Sequence, residues 1–133
     1  MREILFKGKT KSGEWVEGKG MDLNFSDAYI LTKEYDSSSG YYMGECEVIP
    51  ETVSECSFVP DKNGVMMFEG DIVKGLFLFE RSVNAVVTFQ DGAFGLEWYR
   101  GNIKTFNAFT SICNVEYEVI GNIHDSPELL KND

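Results

Sequence analysis

Hydrophobic and polar residues alternate with a period of two over several short stretches of the chain, which is the pattern of half-buried β-strands. The clearest example is SVNAVVTFQDGAFGLEWY. Its Asp91-Gly92 pair predicts a two-residue type I′ turn. The resulting register places Phe89 opposite Phe94 and Val87 opposite Leu96 on one face, so the two alternations agree across the turn. This segment is therefore predicted to be a β-hairpin.

The first third of the chain contains the same signals. EILFKGKTKSGEWVEG predicts an opening hairpin with strands at residues 4–7 and 14–18, and DAYILT predicts another short strand. In ECEVI, Cys46 and Val48 alternate with glutamates before Pro50 ends the segment. Between these strands, KEYDSSSGYYMG (residues 33–44) has the composition of a mobile loop.

Pro50 is the predicted boundary between an N-terminal β-rich portion, residues 1–50, and the remainder, residues 51–133. After it, Asn63-Gly64 predicts a hairpin turn, because both residues tolerate positive φ. Glu69-Gly70-Asp71 predicts a second corner that leads into a strand. Residues 100–114 are weakly patterned, and they predict at most one short helix.

The end of the chain, EYEVIGNIHDSPELL, predicts a last strand with Tyr117, Val119 and Ile123 on one face. Ser126-Pro127-Glu128 then predicts a short helical turn. Short strands and tight turns with little helical periodicity predict a mainly β protein. We expect residues 51–124 to form a small SH3-like antiparallel barrel, followed by the helical turn.

Composition bears on whether the chain folds and on which cellular compartment it occupies. The 133 residues are 43% hydrophobic and 14% aromatic, which is enough to bury a core. The longest apolar run is far shorter than a membrane span, and the N-terminus lacks the apolar centre of a secretory signal. Three dispersed cysteines, Cys46, Cys56 and Cys113, predict reduced thiols and neither a disulfide framework nor a zinc site. We therefore expect a cytoplasmic protein with no membrane contact.

The net charge of −10 opposes direct nucleic-acid binding, because binding to phosphates needs lysine and arginine. The same charge permits a basic protein partner, including one whose nucleic-acid site is occupied by a mimic of phosphates. It is also consistent with simple solubility.

Candidate chemistry is sparse. Gly8-Lys9-Thr10 resembles the end of a phosphate-binding loop, but position 3 is Glu and a strand follows, so a hairpin tip is expected. Glu69 and Asp71 are spaced as an acid–base pair on one strand face, yet Gly70 between them favours a turn in which Asp71 bonds to nearby backbone. His124 is the single histidine. We predict no catalytic, cofactor-binding or metal-binding residue, and expect no cofactor.

Exposed aromatic residues are candidates for an interface. Alternation assigns Trp98 to the core face and Tyr99 to the opposite one. The adjacent Tyr41 and Tyr42, in the predicted loop, are the better candidates. The remaining aromatic candidates are Trp15, Tyr29, Tyr35 and Tyr117.

Several motifs after Pro50 resemble those of the YopX family of phage and prophage proteins. They are Thr52-Val53 leading to Asp61-Lys62-Asn63-Gly64, the EGDIV segment at residues 69–73, and VIGNI at residues 119–123 followed by Pro127-Glu128-Leu129. MREILFKGKTKSGEWVEG resembles the family's start. The approach to the turn, SFVPDKNG, departs from a more glycine-rich family pattern. The resemblance implies a C-terminal SH3-type barrel, a phage or prophage origin, an unassigned biochemical role and no catalytic residue.

Three functional hypotheses follow. The leading one is a non-enzymatic prophage protein in a bacterial cytoplasm that acts through protein contacts, including homo-oligomerisation. The second is an acidic mimic that blocks a basic, nucleic-acid-binding host protein. The third is a small-molecule enzyme, which requires Glu69, Asp71 or His124 to converge in a pocket.

Overall fold

The computed structural model describes residues 3–24, 26–36, 38, 40–78, 81–109 and 117–131. These residues form β-strands and two short 3-10 helices, which confirms the prediction of a mainly β protein. Contacts within the chain divide it into two compact units, Met1–Cys56 and Ser57–Asp133. The boundary at Pro50 stays a prediction.

The first unit contains two antiparallel arrangements. The elements are β1 (Phe6–Lys9), β2 (Trp15–Gly18), β3 (Gly20–Leu23), β4 (Ala28–Asp36), β5 (Gly40–Val48), a 3-10 helix (Pro50–Thr52) and β6 (Ser54–Pro60). Strand β1 pairs with β2, as the opening hairpin predicts, and on its other side with the start of β6. Strands β3, β4 and β5 form a three-stranded sheet in that order.

The core of the first unit lies on one face of the three-stranded sheet. Ala28, Ile30 and Val48 are buried there, and residues Phe6, Val16 and Val53 pack against them. Burying one such aliphatic side chain contributes about 1.5–3 kcal/mol. The alternation predicted in ECEVI is confirmed, since Glu45 and Glu47 are exposed on the other face.

The loop predicted for residues 33–44 is wrong for most of that range. Strand β4 continues to Asp36 and β5 begins at Gly40, with Lys33 opposite Met43 and Tyr35 opposite Tyr41. Pairing along the full nine-residue strands outweighs the turn-forming composition, and tyrosine itself favours strands. Positions 37 and 39 lie outside the described residues.

The second unit is built on a five-stranded antiparallel sheet. Its elements are β7 (Met66–Phe68), β8 (Asp71–Leu78), β9 (Arg81–Gln90), β10 (Ala93–Arg100), β11 (Ile103–Ala108), β12 (Glu118–Asn122) and a 3-10 helix (Pro127–Leu130). The strand order in the sheet is β11-β10-β9-β8-β12, and the later part of β6 lies beside β7. Within the described residues no pairing joins β11 to β12, so the sheet is not a closed barrel and the SH3-like form is not confirmed.

The β9–β10 hairpin has the predicted register. Phe89 lies opposite Phe94 and Val87 opposite Leu96. Positive φ at Asp91 (51°) and Gly92 (81°) fits the type I′ turn. The two phenylalanine rings meet edge to face with centroids 5.0 Å apart at the hairpin end, beyond the core. The core itself consists of Met67, Val73, Val83, Ala85, Val87, Leu96, Trp98 and Tyr117.

Two expectations near the C-terminus differ from the structure. Residues 103–108 form β11 and not a helix, because all six pair with residues 95–100 of β10. Positions 110–114 of the range in which a helix was expected lie outside the described residues. In β12 the register shifts between Val119 and Gly121, so a β-bulge breaks the alternation. Ile123 is consequently exposed and does not share the buried face of Tyr117. The predicted final helical turn is confirmed, although Ser126 makes no side-chain cap.

Strand β6 contains an unusual backbone conformation. Phe58 has a φ of 58°, in the left-handed region that bulky residues avoid. The neighbouring Ser57 hydroxyl donates to the Met67 carbonyl at 2.6 Å and accepts the Val59 N–H at 3.1 Å. These two hydrogen bonds hold the chain on each side of the bend.

Candidate functional site

The Asp61 carboxylate organises the turn after β6. Its Oδ1 accepts the backbone N–H groups of Asn63 at 2.8 Å and Val65 at 2.9 Å. Its Oδ2 accepts the N–H of Val119 in β12 at 2.9 Å. Asp61 is only 6% exposed, so its charge is satisfied almost entirely by protein. The side chain therefore joins the Asp-Lys-Asn-Gly turn to the last strand.

The environment of Asp61 favours its ionised form. Burial raises the pKa of this carboxyl, but the three backbone N–H donors and the nearby Lys62 ammonium outweigh burial and lower it. A second contact reinforces the same junction, because Lys62 N–H donates to the Tyr117 carbonyl at 2.8 Å. An exposed ion pair links Lys62 to Glu118 at 3.7 Å.

The Glu69-Gly70-Asp71 corner forms a turn that is held by a hydrogen bond from the backbone to the Asp71 side chain. Asp71 is buried, and its Oδ2 accepts the Phe68 N–H at 2.9 Å across the turn. Gly70 has a φ of 90°, which a residue with a Cβ rarely adopts. This geometry is the one expected of a turn that leads into a strand. Glu69 is half-buried beside it.

The structure brings the segment that carries His124 to the same corner. Asn122 lies opposite Asp71, and Ile123 N–H donates to the Gly70 carbonyl at 2.9 Å. The His124 backbone N–H is bound by the Asn122 side-chain oxygen at 3.0 Å. The candidate residues of an enzymatic site are thus neighbours in the fold, while the Asp71 carboxylate is directed to its own turn.

Gly8-Lys9-Thr10 lies at a hairpin tip, as expected. Gly8 and Lys9 belong to β1, and the Lys9 N–H donates to the Thr52 hydroxyl at 2.8 Å. The Thr10 hydroxyl accepts the Glu14 N–H at 3.1 Å within the loop. Backbone groups that a phosphate-binding loop would direct at a ligand are here engaged within the protein.

The structure also places the cysteines and the Tyr41-Tyr42 pair that the sequence singled out. Neither the half-buried Cys46 nor the buried Cys56 is part of a disulfide, and Cys113 lies outside the described residues. Tyr41 and Tyr42 belong to β5 and not to a loop, opposite Tyr35 and Glu34. An interface role for this pair stays a prediction.

The described part of the chain contains no group of three or more His, Cys, Asp or Glu side chains placed to hold a metal ion. None of its helices has the length and apolar character needed to cross a bilayer.

An acidic face covers the solvent side of the β3-β4-β5 sheet; we define it as Asp22, Asp27, Glu45 and Glu47 around Tyr29. Asp22, Tyr29 and Glu47 lie directly opposite one another across the three strands. All four carboxylates are on exposed residues. Asp27 contributes most to raising the pKa of Tyr29, followed by Glu47, because negative neighbours disfavour the phenolate.

This acidic face was not predicted. The alternation of ECEVI indicated that Glu45 and Glu47 share a face, but nothing local to the sequence paired them with Tyr29 and Asp22. The missing information is the register of β3 and β5 on β4.

Comparisons with known proteins agree with the motifs. A model of the family described as YopX protein matches residues 6–131. No curated protein matches the chain. The crystal structure of protein EF1440 from Enterococcus faecalis is similar, with a TM-score of 0.59 and 22% identity, over 96% of this chain and 98% of that chain. At this identity the similarity shows a shared fold.

Proposed function

The chain belongs to the YopX family, and from this premise we propose that it is a non-enzymatic phage or prophage protein that acts in the bacterial cytoplasm through protein contacts, including contacts between its own copies. The observation that carries this proposal is that the carboxylates of the family motifs bind backbone N–H groups of the protein itself. Asp61 and Asp71 are both buried and both accept backbone N–H groups. The motifs thereby maintain a scaffold, and function is left to its exposed surfaces.

Exposed apolar side chains support a role in protein contacts. Leu23 on β3 and Ile103 on β11 are the most exposed of the large apolar residues described, at 57% and 70%. Tyr99 on β10 is also exposed. Tyrosine and isolated aliphatic side chains at sheet edges are suited to association with another chain.

Sedimentation velocity of the purified chain over a wide concentration range tests self-association. We expect the mass to exceed that of one chain and to rise with concentration. A mass of one chain throughout would remove self-association from the proposal. Testing for turnover with a metabolite panel, in the wild type and in His124→Ala, addresses the enzymatic alternative; turnover that is lost in the variant would contradict the proposal.

The acidic face supports a second candidate function, which is occupation of a basic, nucleic-acid-binding host protein. The four carboxylates of the acidic face lie around Tyr29, and their separation is set by the distance between neighbouring strands. They present a row of negative charges to which a basic protein surface could bind. Such binding would weaken as salt rises, because exposed charges are screened.

A competition experiment tests this candidate. The immobilised chain should retain such host proteins at low salt, and added duplex DNA should release them if they bind DNA and this chain through the same surface. The double variant Glu45→Gln/Glu47→Gln should retain less host protein than the wild type does. The matched control Glu14→Gln/Glu17→Gln changes two exposed glutamates of the same unit and should retain as much host protein as the wild type. Equal retention by both double variants would exclude the acidic face.

A further inference from the structure

Strand β3 is the outermost of the described strands in its three-stranded sheet. The order is β3-β4-β5, and β4 is the strand of the described residues that pairs with β3. Residues 21–24 are all exposed. The described residues make no hydrogen bond to the backbone of Met21 or Leu23 from outside this sheet. Such an edge offers backbone groups to an incoming strand.

The turn between β3 and β4 determines which backbone groups face outward. The Asn24 N–H donates to the Asp27 carbonyl at 2.8 Å, so these two residues form a hydrogen-bonded pair. Hydrogen-bonded and non-hydrogen-bonded pairs alternate along an antiparallel ladder. Asp22, two positions before Asn24, therefore bonds to β4. Met21 and Leu23 direct their backbone N–H and carbonyl groups away from the sheet.

The two faces of the sheet differ in chemistry along this edge. Met21 and Leu23 lie opposite buried residues of β4, yet they are 36% and 57% exposed. Asp22 lies on the opposite face, within the acidic face and next to Tyr29. Successive side chains of a strand added here would also alternate between the two faces. An apolar residue fits beside Met21 or Leu23, and a basic residue fits beside Asp22.

Charge disfavours a second copy of β3 as the added strand. Antiparallel pairing of two β3 strands keeps equivalent faces on the same side of the joined sheet, so the two acidic faces would lie next to each other. Each chain also has a net charge of −10. Like charges on neighbouring strands are destabilising, whereas a basic segment at the same edge is attracted.

We propose that the outer edge of β3 binds an extended segment of a basic partner protein as an added antiparallel strand, in which lysine or arginine alternates with apolar residues. This inference rests on the second candidate function above, and it adds that the partner extends the sheet. Apolar residues of the segment lie opposite Met21 and Leu23 and exchange backbone hydrogen bonds with them. Its basic residues lie opposite Gly20, Asp22 and Asn24.

Peptide binding to the wild-type chain tests the backbone contribution without any change to the protein. The probe is the labelled peptide acetyl-Gly-Lys-Val-Lys-Val-Lys-Gly-amide, and fluorescence anisotropy gives its dissociation constant. N-methylation of both valines removes the two N–H groups that face β3, and we expect a dissociation constant at least about fivefold higher. The matched control has N-methyl groups on the first and last lysines, whose N–H groups face solvent. It should bind as the parent peptide does.

Two further measurements locate the bound peptide. Amide hydrogen exchange by NMR should slow at Met21 and Leu23 when the parent peptide is added. Asp22→Asn should weaken binding of this peptide, whereas Glu17→Gln, which changes an exposed glutamate of β2, should not.

Three results would overturn strand addition at β3. They are no binding of the parent peptide at about 1 mM, equal binding of the two methylated peptides, and unchanged amide exchange at Met21 and Leu23 in the bound protein. Equal binding of the methylated peptides that is lost in Asp22→Asn leaves the acidic face standing as a purely electrostatic site. Failure of the acidic face itself is measured separately, by the retention of host proteins described above.

Discussion

The Asp61 carboxylate accepts the Val119 backbone N–H at 2.9 Å, although 58 positions separate the two residues. The same side chain also holds the turn in which it lies. One carboxylate therefore couples a local turn to the placement of a distant strand, and this coupling connects two motifs that the sequence shows only as separate signatures.

We expect Asp61→Asn to lower the free energy of unfolding by about 2 kcal/mol. The amide has one acceptor oxygen in place of two, so at least one buried backbone N–H loses its partner and faces another donor. Urea denaturation at neutral pH measures the change. The control is Asp91→Asn, which removes the same charge at an exposed turn; there we expect a change within about 0.5 kcal/mol. Equal urea midpoints for Asp61→Asn and the wild type would contradict the assigned role of Asp61.

The stabilisation from Asp61 should depend on pH. Folding lowers the pKa of its carboxyl below the ordinary value of 3.8, so the stabilisation is complete above that value and is lost as pH falls through the folded-state pKa. The difference in unfolding free energy between wild type and Asp61→Asn should therefore shrink between about pH 5 and about pH 2. A difference that stays constant over this range would show that ionisation of Asp61 is irrelevant.

Gly75→Ala should destabilise the second unit by about 1–3 kcal/mol, because the added methyl group overlaps the buried Tyr117 ring. Thermal unfolding measures this loss. Gly121→Ala is the matched comparison, since its methyl group would approach the end of the flexible Leu129 side chain at 3.0 Å. We expect the smaller loss at Gly121, and the reverse order would be inconsistent with the packing described.

Tyr29 should ionise at a higher pH than a free tyrosine, because Asp27 and Glu47 surround it with negative charge. NMR titration of the ring resonances gives this pKa directly. Glu47→Gln should bring the pKa of Tyr29 closer to its ordinary value, and added salt should do the same in the wild type. The control Glu14→Gln should leave it unchanged. A Tyr29 titration insensitive to both Glu47→Gln and salt would refute the electrostatic origin of the shift.

The parts of the fold that were predicted correctly depend on local chemistry. Asp91-Gly92 specifies its turn type, and the flanking alternations fix which residues meet across it. Glu69-Gly70-Asp71 was likewise interpreted correctly as a corner, since positive φ at Gly70 and the short reach of Asp71 are local properties.

The incorrect predictions depend on partners distant in sequence. Lys33 to Asp36 resemble a loop in isolation, and they are strand because residues of β5 pair with them. Residues 103–108 lack a clear pattern because β11 is the outermost of the described strands in its sheet and is only partly buried, so burial imposes little alternation on it. The contact of Asp61 with Val119 and the alignment of Asp22 with Tyr29 and Glu47 likewise follow from strand register, which no short motif encodes.

The left-handed conformation of Phe58 has a consequence for fragments of this protein. A bulky residue in this conformation is disfavoured by about 1–2 kcal/mol, so contacts with surrounding chain must maintain it. A synthetic peptide covering Ser54 to Pro60 should accordingly straighten in water, and its amide signals should report an extended chain at Phe58. The bend is a property that the segment acquires only as part of the folded protein.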